Sequence, residues 1–416
     1  FDRVSEMLPK KAVLSDSRKL LIGAYFTQEY ALESAALFNP SMVPHPDQTG
    51  LEPGSLRFIM SLRATGEGHI SSLTFRTGTI HESLQIRMDP VSPYASTAEQ
   101  IPNPVYDKKC FARKLVEMGF ENDFTRTVLA PLADAFTFQD LLSQISGYLA
   151  GRPAVSQTDR LTQDKTLWLA RSNYEIRFPA DLPVSARVVF PLAPSEQNGI
   201  EDARFVRFTE DDGQRNYYAT YTAYDGKVIL PQLMETSDFN HFKMITLNGI
   251  EAVNKGMALF PRRIQGRYAM LSRQDNENLF LMYSDNLHFW NEKELILKPE
   301  YPWEFIQLGN CGSPLETKAG WLVFTHGVGA VRRYCIGAVL LDWEDPSHVI
   351  GRSREPILAP NEEERKGYVP NVVYSCGALI FNGKVILPYA MSDYTTSVAI
   401  IDLDELLSIL LSSCSK

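Results

Sequence analysis

A long succession of short strand-like segments, from about Thr166 to Asp402, constrains the fold more than any other feature of the chain. The segments are a few residues long and rich in β-branched, aromatic and aliphatic side chains, and residues that favour turns separate them. This pattern predicts a predominantly β protein, with two earlier strands at Leu56–Leu62 and Ile70–Arg76. The later predicted strands are Leu167–Ala170, Ala186–Phe190, Phe205–Phe208, Tyr217–Tyr221, Lys227–Leu230, Ala269–Leu271, Phe280–Met282, Trp321–Thr325, Ala338–Leu341, Ala378–Phe381, Val385–Pro388 and Val398–Ile401.

Two stretches of this region resemble each other, Glu235–Phe242 and Tyr283–Trp290. Each carries a Ser-Asp pair followed by aromatic residues, which indicates a structural turn at an outer rim. Ser237 and Ser284 are 284 − 237 = 47 residues apart, close to the length of one four-stranded propeller blade. The spacing therefore predicts a β-propeller whose inner strands face a central pocket.

The apolar pattern becomes helical between about residues 106 and 150. We expect this stretch to be a helical insertion that packs on one edge of the β structure, within a single domain of residues 1–416. A short amphipathic helix is expected at Leu403–Leu411. The predicted fold is thus an all-β propeller with a helical insertion and short terminal helices.

Composition narrows the classes of partner. The 416-residue chain is 44% hydrophobic and 22% charged, as in ordinary globular proteins. A formal net charge of −9 argues against nucleic acid and against anionic membrane surfaces. No apolar run is long enough to cross a bilayer, so no membrane partner is expected.

The five cysteines and seven histidines lack the spacings of metal sites. We therefore expect no metal and no bound cofactor. Cys311, Cys335 and Cys376 lie in apolar or glycine-rich strand contexts, where a buried thiol is the expected role. These features favour a reducing, cytoplasmic compartment, with a periplasmic location as the alternative.

The stretch Ser195–Phe205 concentrates polar chemistry where a turn enters a strand. Period-two alternation predicts that Glu201 and Asp202 point to opposite faces of that strand, one of them toward its mouth. An ion pair between Asp202 and Arg204 at a surface turn is the alternative interpretation. A second polar stretch, Arg63–His69, joins the two early strands, and a hairpin with a solvated tip would equally account for it.

Several segments, taken in order, resemble glycoside hydrolase family 130. Asn198–Arg204 is similar to its G-I-E-D-P-R signature, and Lys255–Pro261 is similar to its K-D-x-x-L-F-P segment. The further matching segments are Leu37–Pro40, Phe58–Arg63 with Ile70–Ser72, Met270–Arg273, Gly320–Gly327 with Ala338–Asp342, Val369–Gly377, and Ser392–Asp393. The resemblance implies a five-bladed β-propeller that acts on β-mannosides, in most members as a phosphorylase.

The chain also departs from the family pattern. Ala203 stands where proline is usual, Gly256 where aspartate is usual, and Ser272 where histidine is usual. The helical insertion is absent from the shorter members. These differences indicate a divergent branch, whose substrate and linkage could differ.

The resemblance also implies a role for individual residues. Asp202 would be the general acid, passing its proton to the glycosidic oxygen through a sugar hydroxyl. Inorganic phosphate would be the co-substrate, and Asn39 and Asp393 would contact hydroxyls of the sugar. The residues implied to bind phosphate are Lys255, Arg273 and His326, with Arg63 as a further candidate.

Each basic residue has a simpler alternative. Arg273 could pair with Asp275, Lys255 could be solvated at a turn, and His326 could be a buried core histidine. The aromatic residues that could line the acceptor side are Tyr224, Trp303 and Tyr368.

Together these features predict an inverting phosphorylase that releases α-mannose 1-phosphate from mannooligosaccharides. A hydrolase of the same family is the first alternative, with a glutamate activating water, the candidates being Glu67, Glu196 and Glu201. A propeller that binds glycans without cleaving them is the second. A homo-oligomer is left open.

Overall fold

The computed structural model describes residues 1, 4–5, 8, 14–27, 29–152 and 155–413, and within them the chain is mostly β-sheet with few helices. No helix of this part of the chain is long and apolar enough to cross a membrane. The α-helices are Asp16–Tyr25, Lys108–Glu117, Asp123–Leu129, Phe138–Ala150, Gln157–Arg171 and Leu403–Ser413.

The strands form five larger sheets, which we number in chain order, and one small pair. Sheet 1 contains Ala36–Pro44, Leu56–Thr65, Ser71–Ile80, Ile86–Met88, Ser96–Thr97 and Arg187–Val189. Sheet 2 contains Glu99–Gln100, Tyr174–Arg177, Ile200–Thr209, Arg215–Tyr224, Ile229–Thr236 and His241–Thr246. Sheet 3 contains Ala258–Leu259, Tyr268–Ser272, Leu279–Ser284 and Glu294–Leu297. Sheet 4 contains Gln307–Asn310, Leu315–Thr317, Gly320–Val328, Tyr334–Leu341 and Val349–Arg352. Sheet 5 contains Val373–Tyr374, Leu379–Phe381, Lys384–Met391 and Thr395–Asp402, and the small pair is Val105–Asp107 with Ala135–Thr137.

Within each large sheet, strands that follow one another in the chain pair mainly antiparallel, so most of the pairing is local. Neighbouring sheets contact each other in order from sheet 1 to sheet 5. Sheet 5 then returns to sheet 1, where the Cys376 amide donates to the Pro40 carbonyl at 2.8 Å. Ser41 also forms a parallel bridge with Gly377 at this junction.

A separate apolar cluster fills each junction between neighbouring sheets. The cluster between sheets 1 and 2 is built around Phe75, which is fully buried. Its ring centroid lies 6.1 Å from Phe205, 5.7 Å from Phe239 and 5.9 Å from Phe242. Because burial of such side chains is the main stabilising term, the sheets are held by face-to-face packing.

The two similar stretches in the sequence occupy equivalent turns, each between the last two strands of its sheet in chain order. In sheet 2, one Asp238 carboxylate oxygen accepts from the Asn240 and His241 amides at 2.8 and 3.0 Å. In sheet 3, the Ser284 hydroxyl accepts from the Asn286 amide at 3.0 Å. The predicted structural turn is confirmed.

The helices of residues 108–171 form a small layer with its own core and pack against the outside of sheets 2 and 3. Lys114 donates to the Leu247 carbonyl at 2.9 Å, and Glu117 accepts from the Gly249 amide at 2.7 Å. Arg113 lies 3.8 Å from the centroid of the Phe289 ring.

The predicted strand Leu167–Ala170 is wrong, because this segment is the end of the helix Gln157–Arg171. The helix buries Thr162, Thr166, Leu169 and Ala170, a spacing that places them on one helical face. Residues 167–170 are all apolar, so this short segment shows neither the hydrophobic period of a helix nor that of a strand. The helical period is visible only over the longer stretch of residues 157–171.

We expect Phe75→Ala to lower the free energy of unfolding by about 3–5 kcal/mol, because it leaves a cavity in the aromatic cluster. Urea unfolding measures this change. Phe305→Ala is a matched control, since Phe305 is 73% exposed and should cost less than about 0.5 kcal/mol. Equal losses in the two variants would show that the cluster is not the main contact between sheets 1 and 2.

Candidate functional site

The candidate site begins where the strands Ala36–Pro44 of sheet 1 and Ile200–Thr209 of sheet 2 are both interrupted by a bulge. The strand registers shift between Phe38 and Ser41 and between Glu201 and Arg204. Asn39 and Asp202, inside these bulges, have φ of 51° and 52°, a region that non-glycine residues seldom adopt. The bulges turn the two side chains toward each other, and Asn39 Nδ2 donates to Asp202 Oδ1 at 2.7 Å.

Both acidic residues of the signature contact Arg63. Arg63 Nη2 lies 2.9 Å from Glu201 Oε1, and Arg63 Nη1 lies 3.5 Å from Asp202 Oδ1. The predicted divergence of Glu201 and Asp202 is therefore wrong, because alternation holds for a regular strand and the bulge interrupts it.

The alternative of a surface ion pair between Asp202 and Arg204 is also wrong. Arg204 is 3% exposed, and its Nη2 donates to the Tyr374 hydroxyl at 2.7 Å. Arg204 thus belongs to the interior of the site, where it joins Ile200–Thr209 of sheet 2 to Val373–Tyr374 of sheet 5.

Arg273 and His326 lie side by side against Gly309. A Cβ atom at Gly309 would come within 2.8 Å of Arg273 Cδ and 2.5 Å of His326 Cε1, so a residue without a side chain permits this approach. The His326 ring stacks on Tyr334, with centroids 6.0 Å apart. Lys255 reaches the same cluster, its Nζ lying 3.9 Å from Glu201 Oε2.

The simpler alternatives for these cations differ in outcome. Asp275 does not form an ion pair with Arg273. Instead, one of its carboxylate oxygens accepts hydrogen bonds from the Glu277 and Asn278 amides at 2.9 and 2.8 Å. In the described chain, Arg273 Nε is buried with no hydrogen-bond partner. His326 is buried, as the core alternative required, yet it is buried beside Arg273.

Charge within the site sets the ionisation of Asp202. Burial alone would raise the pKa of this carboxyl group, but Arg63, Arg204, Lys255 and the hydrogen bond from Asn39 hold it below its ordinary value. Asp202 is therefore a carboxylate near neutral pH while no anion occupies the site.

The neighbouring imidazole is neutral. Burial, followed by the charges of Arg273 and Arg204, holds the pKa of His326 well below its ordinary value. Burial also lowers the pKa of Arg273. A neutral imidazole and a guanidinium can both donate hydrogen bonds to an anion, and the guanidinium adds charge.

Asp393 lies near Asp202 and Arg63, whose charges act on its pKa. It follows the strand Lys384–Met391 and has φ of 50°. Burial, and then the nearby Asp202 charge, raises the pKa of Asp393 to about 6, against the attraction of Arg63 and Arg332.

The three glutamates proposed as bases for water occupy different environments. Glu196 is fully buried and accepts from the Tyr174 and Tyr221 hydroxyls, both at 2.8 Å. It also accepts from two backbone amides at 3.1 Å, so its role is structural. Glu67 lies on the exposed tip of the hairpin loop, and Glu201 is paired with Arg63 and Lys255.

The three aromatic residues considered for the acceptor side also lie in different environments. Trp303 packs behind Gly327 and Gly337, where an added Cβ would meet its ring at 2.5 and 2.4 Å. The Tyr224 hydroxyl donates to the Gly226 carbonyl at 3.1 Å. Tyr368 is 65% exposed and stacks on His69, with ring centroids 5.6 Å apart and an interplanar angle of 22°.

The structure thus brings Asn39, Arg63, Asp202, Lys255, Arg273, His326 and Asp393 into one cluster. Sequence reasoning missed Arg204, Tyr334 and Tyr374 as members. The signal for Arg204 was present in the signature itself, two residues after Asp202. Tyr374 lies in a segment already matched to the family, but nothing local distinguishes a site tyrosine from a core tyrosine.

Comparisons with known proteins place the chain among mannoside phosphorylases of one family. A family profile described as beta-1,4-mannooligosaccharide phosphorylase matches residues 163–412. A 1,2-beta-oligomannan phosphorylase of Thermoanaerobacter sp. strain X514 is 36% identical over 219 residues, 51% of this chain and 71% of that protein. A beta-1,2-mannobiose phosphorylase of Listeria innocua is 27% identical over 254 residues, 59% of this chain and 69% of that protein.

A solved structure shares the fold. The beta-1,2-mannobiose phosphorylase from Listeria innocua, in complex with beta-1,2-mannobiose, superposes with a TM-score of 0.52 at 19% identity. The superposition covers 92% of this chain and 94% of that one.

We expect Asp393→Asn to become more stable relative to the unsubstituted protein as pH rises from about 4 to 7. A carboxyl group whose pKa is raised from 3.8 to about 6 by folding favours folding when protonated, and this contribution is lost as pH rises through 6. The difference should reach at most about 3 kcal/mol, since each pH unit of pKa change is worth about 1.4 kcal/mol.

Urea unfolding at pH 4, 5, 6 and 7 measures this difference. Asp211→Asn removes an exposed carboxylate elsewhere and controls for the loss of one negative charge. A constant difference between Asp393→Asn and the unsubstituted protein across this range would contradict the prediction.

Proposed function

The chain belongs to glycoside hydrolase family 130, and we propose that it cleaves β-mannosidic linkages of mannooligosaccharides with inorganic phosphate. The observation that carries the proposal is the half-buried Asp202 carboxylate beside a cluster of cations, with Arg63 Nη1 3.5 Å away and the charges of Arg63, Arg204 and Lys255 lowering its pKa. Relatives named as phosphorylases of β-1,2-linked and β-1,4-linked mannosides support this reaction class.

In the proposed reaction, a phosphate oxygen attacks the anomeric carbon from the side of Lys255, Arg273 and His326. The bond between that carbon and the glycosidic oxygen breaks on the opposite side, so the configuration inverts. Asp202 supplies a proton to the departing oxygen, directly or through a sugar hydroxyl. The products are α-mannose 1-phosphate and a saccharide shorter by one residue, and overall the proton of hydrogen phosphate passes to the leaving sugar.

The cation cluster suits a phosphate dianion. Arg273 provides a planar fork with an unpartnered Nε, His326 provides a neutral donor, and Lys255 provides a point charge that is 39% exposed. Fixed donors in a site that excludes water stabilise developing charge without reorganisation. Water as nucleophile would gain nothing from these charges.

The same charges explain how Asp202 could be protonated when the glycosidic bond breaks. Lys255 and Arg204 help to keep its pKa low in the free protein. A bound phosphate dianion offsets those positive charges, and a nearby negative charge raises the pKa of a carboxyl group. Asp202 would therefore become a competent acid once phosphate is bound.

We propose a β-1,2-mannooligosaccharide as the first substrate to test. The supporting observation is that the relatives at 36% and 34% identity are named for β-1,2-linked oligomannan and mannobiose. The three glutamates considered for hydrolysis give no support to that alternative, because Glu196 is engaged by four donors and Glu201 is paired with two cations.

We further propose that the five sheets are the blades of a five-bladed β-propeller. The ordered contacts from sheet 1 to sheet 5 and back to sheet 1 support this arrangement. An apolar cluster at each junction supports it as well.

We expect Asp202→Asn to keep the fold and to lose most turnover of β-1,2-mannobiose in the presence of phosphate. Asparagine is nearly isosteric but cannot donate the proton, and general acid catalysis contributes about 10²–10⁴-fold. Release of α-mannose 1-phosphate measures the rate, and circular dichroism checks the fold. Asp211→Asn is the control, and full activity in a folded Asp202→Asn would remove Asp202 from the mechanism.

We expect turnover to require inorganic phosphate and Arg273→Ala to raise the KM for phosphate far more than the KM for the mannoside. Losing a desolvated charge pair should cost on the order of 2–5 kcal/mol in kcat/KM for phosphate. Initial rates at varied phosphate and mannoside concentrations separate the two KM values, with the exposed Arg87→Ala as control. Free mannose released at an equal rate in phosphate-free buffer would favour hydrolysis.

A further inference from the structure

We propose that His69 and Tyr368 form the wall on which the leaving sugar stacks during phosphorolysis. The inference rests on the proposed function and assigns the subsite for the acceptor saccharide to an aromatic pair from two different sheets. Its ligand would be a hexopyranose, recognised through the apolar face of its ring.

The two rings form a continuous surface. Their centroids are 5.6 Å apart and their planes differ by 22°. Tyr368 is 65% exposed, and His69 is exposed as well. Exposed aromatic surface costs free energy in water, and aromatic faces are suited to apolar ring contacts.

The hairpin of sheet 1 brings His69 to the site. His69 lies in the short loop that follows the strand of Arg63, and Arg63 Nε donates to the Ser71 hydroxyl at 2.9 Å, just beyond that loop. His69 has φ of 58°, and residues keep such a conformation where the surroundings fix it. His69 thus lies in a loop whose far end, Ser71, is hydrogen-bonded to the arginine that contacts Asp202.

A loop of sheet 5 brings Tyr368 to the same place. The Val369 amide donates to the Ser392 carbonyl at 3.0 Å. A Cβ atom at Gly367 would come within 2.5 Å of that carbonyl oxygen. The loop therefore lies directly on Ser392, the residue that precedes Asp393, and it carries the Tyr368 ring that stacks on His69.

The stereochemistry of the reaction then indicates which sugar of the substrate stacks on His69 and Tyr368. In an inverting displacement the nucleophile and the leaving group occupy opposite sides of the anomeric carbon. The charges that act on His326 are Arg273, Arg204 and Lys255, and they define the phosphate side. The largest charges that act on Asp393 are Asp202, Arg63 and Arg332. We assign the leaving sugar to this part of the site, because the loops that carry His69 and Tyr368 are joined to it through Ser71 and Ser392.

The experiment uses the intact chain and two ligands, of which only one contains the leaving sugar. Binding of β-1,2-mannobiose and of α-mannose 1-phosphate to Asp202→Asn is measured by calorimetry, with and without Tyr368→Ala. We expect Tyr368→Ala to weaken mannobiose binding about tenfold, the size of one aromatic contact. Binding of α-mannose 1-phosphate, which lacks the leaving sugar, should change less than about twofold.

Further variants separate stacking from other effects. Tyr368→Phe keeps the ring and should bind mannobiose as Tyr368 does, while His69→Ala should weaken mannobiose in the same direction as Tyr368→Ala. Tyr94→Ala is the matched control, since Tyr94 is 82% exposed and lies outside the cluster. Unchanged mannobiose binding in Tyr368→Ala, or equal weakening of both ligands, would overturn the inference.

Turnover of the unsubstituted protein distinguishes this failure from failure of the proposed function. If free mannose forms without phosphate, the phosphorylase proposal fails. The calorimetric difference between mannobiose and α-mannose 1-phosphate would still decide whether the pair holds the second sugar.

Discussion

The hydrogen bond between Asn39 and Asp202 is the contact on which the architecture of the site depends. It joins Ala36–Pro44 of sheet 1 to Ile200–Thr209 of sheet 2 at 2.7 Å, and it forms because both residues adopt left-handed conformations inside bulges. Such conformations cost of order 1–3 kcal/mol each. The packed aromatic cluster beneath them, centred on Phe75, supplies the rigidity that keeps them in place.

Burial of several cations in one place is the second constraint. Arg204 and Arg273 are 3% and 5% exposed, and each has an Nε without a partner among the described residues. Buried charges without full pairing are unfavourable unless a ligand completes them. The incompletely paired cations therefore lower the stability of the fold but leave donors available to an anion. Such a cost is common where function requires polar groups in the interior.

The positions of these cationic side chains depend on glycines whose backbone they can approach closely. Gly309 allows Arg273 and His326 to lie together, and Gly256, with φ of 92°, has its Cβ position 3.1 Å from Arg273 Nε. The family resemblance expects an aspartate at Gly256. With glycine at this position, no side chain of residue 256 crowds the guanidinium group of Arg273.

The sequence by itself determined the predominance of strands, the repeated turn and most residues of the cluster, but not Arg204, Tyr334 and Tyr374. These are properties of local patterns and of motifs in fixed order, so they can be found without coordinates. The tertiary structure decided how the residues meet. The bulge at Asp202 turned Glu201 and Asp202 to the same arginine, and the junction with sheet 5 placed Arg204 on Tyr374 instead of on Asp202. The stack of His69 on Tyr368 joins residues 299 positions apart, as 368 − 69 shows. No local pattern encodes such a distance, because it is fixed by the packing of sheets that the chain completes only when its end returns to its beginning.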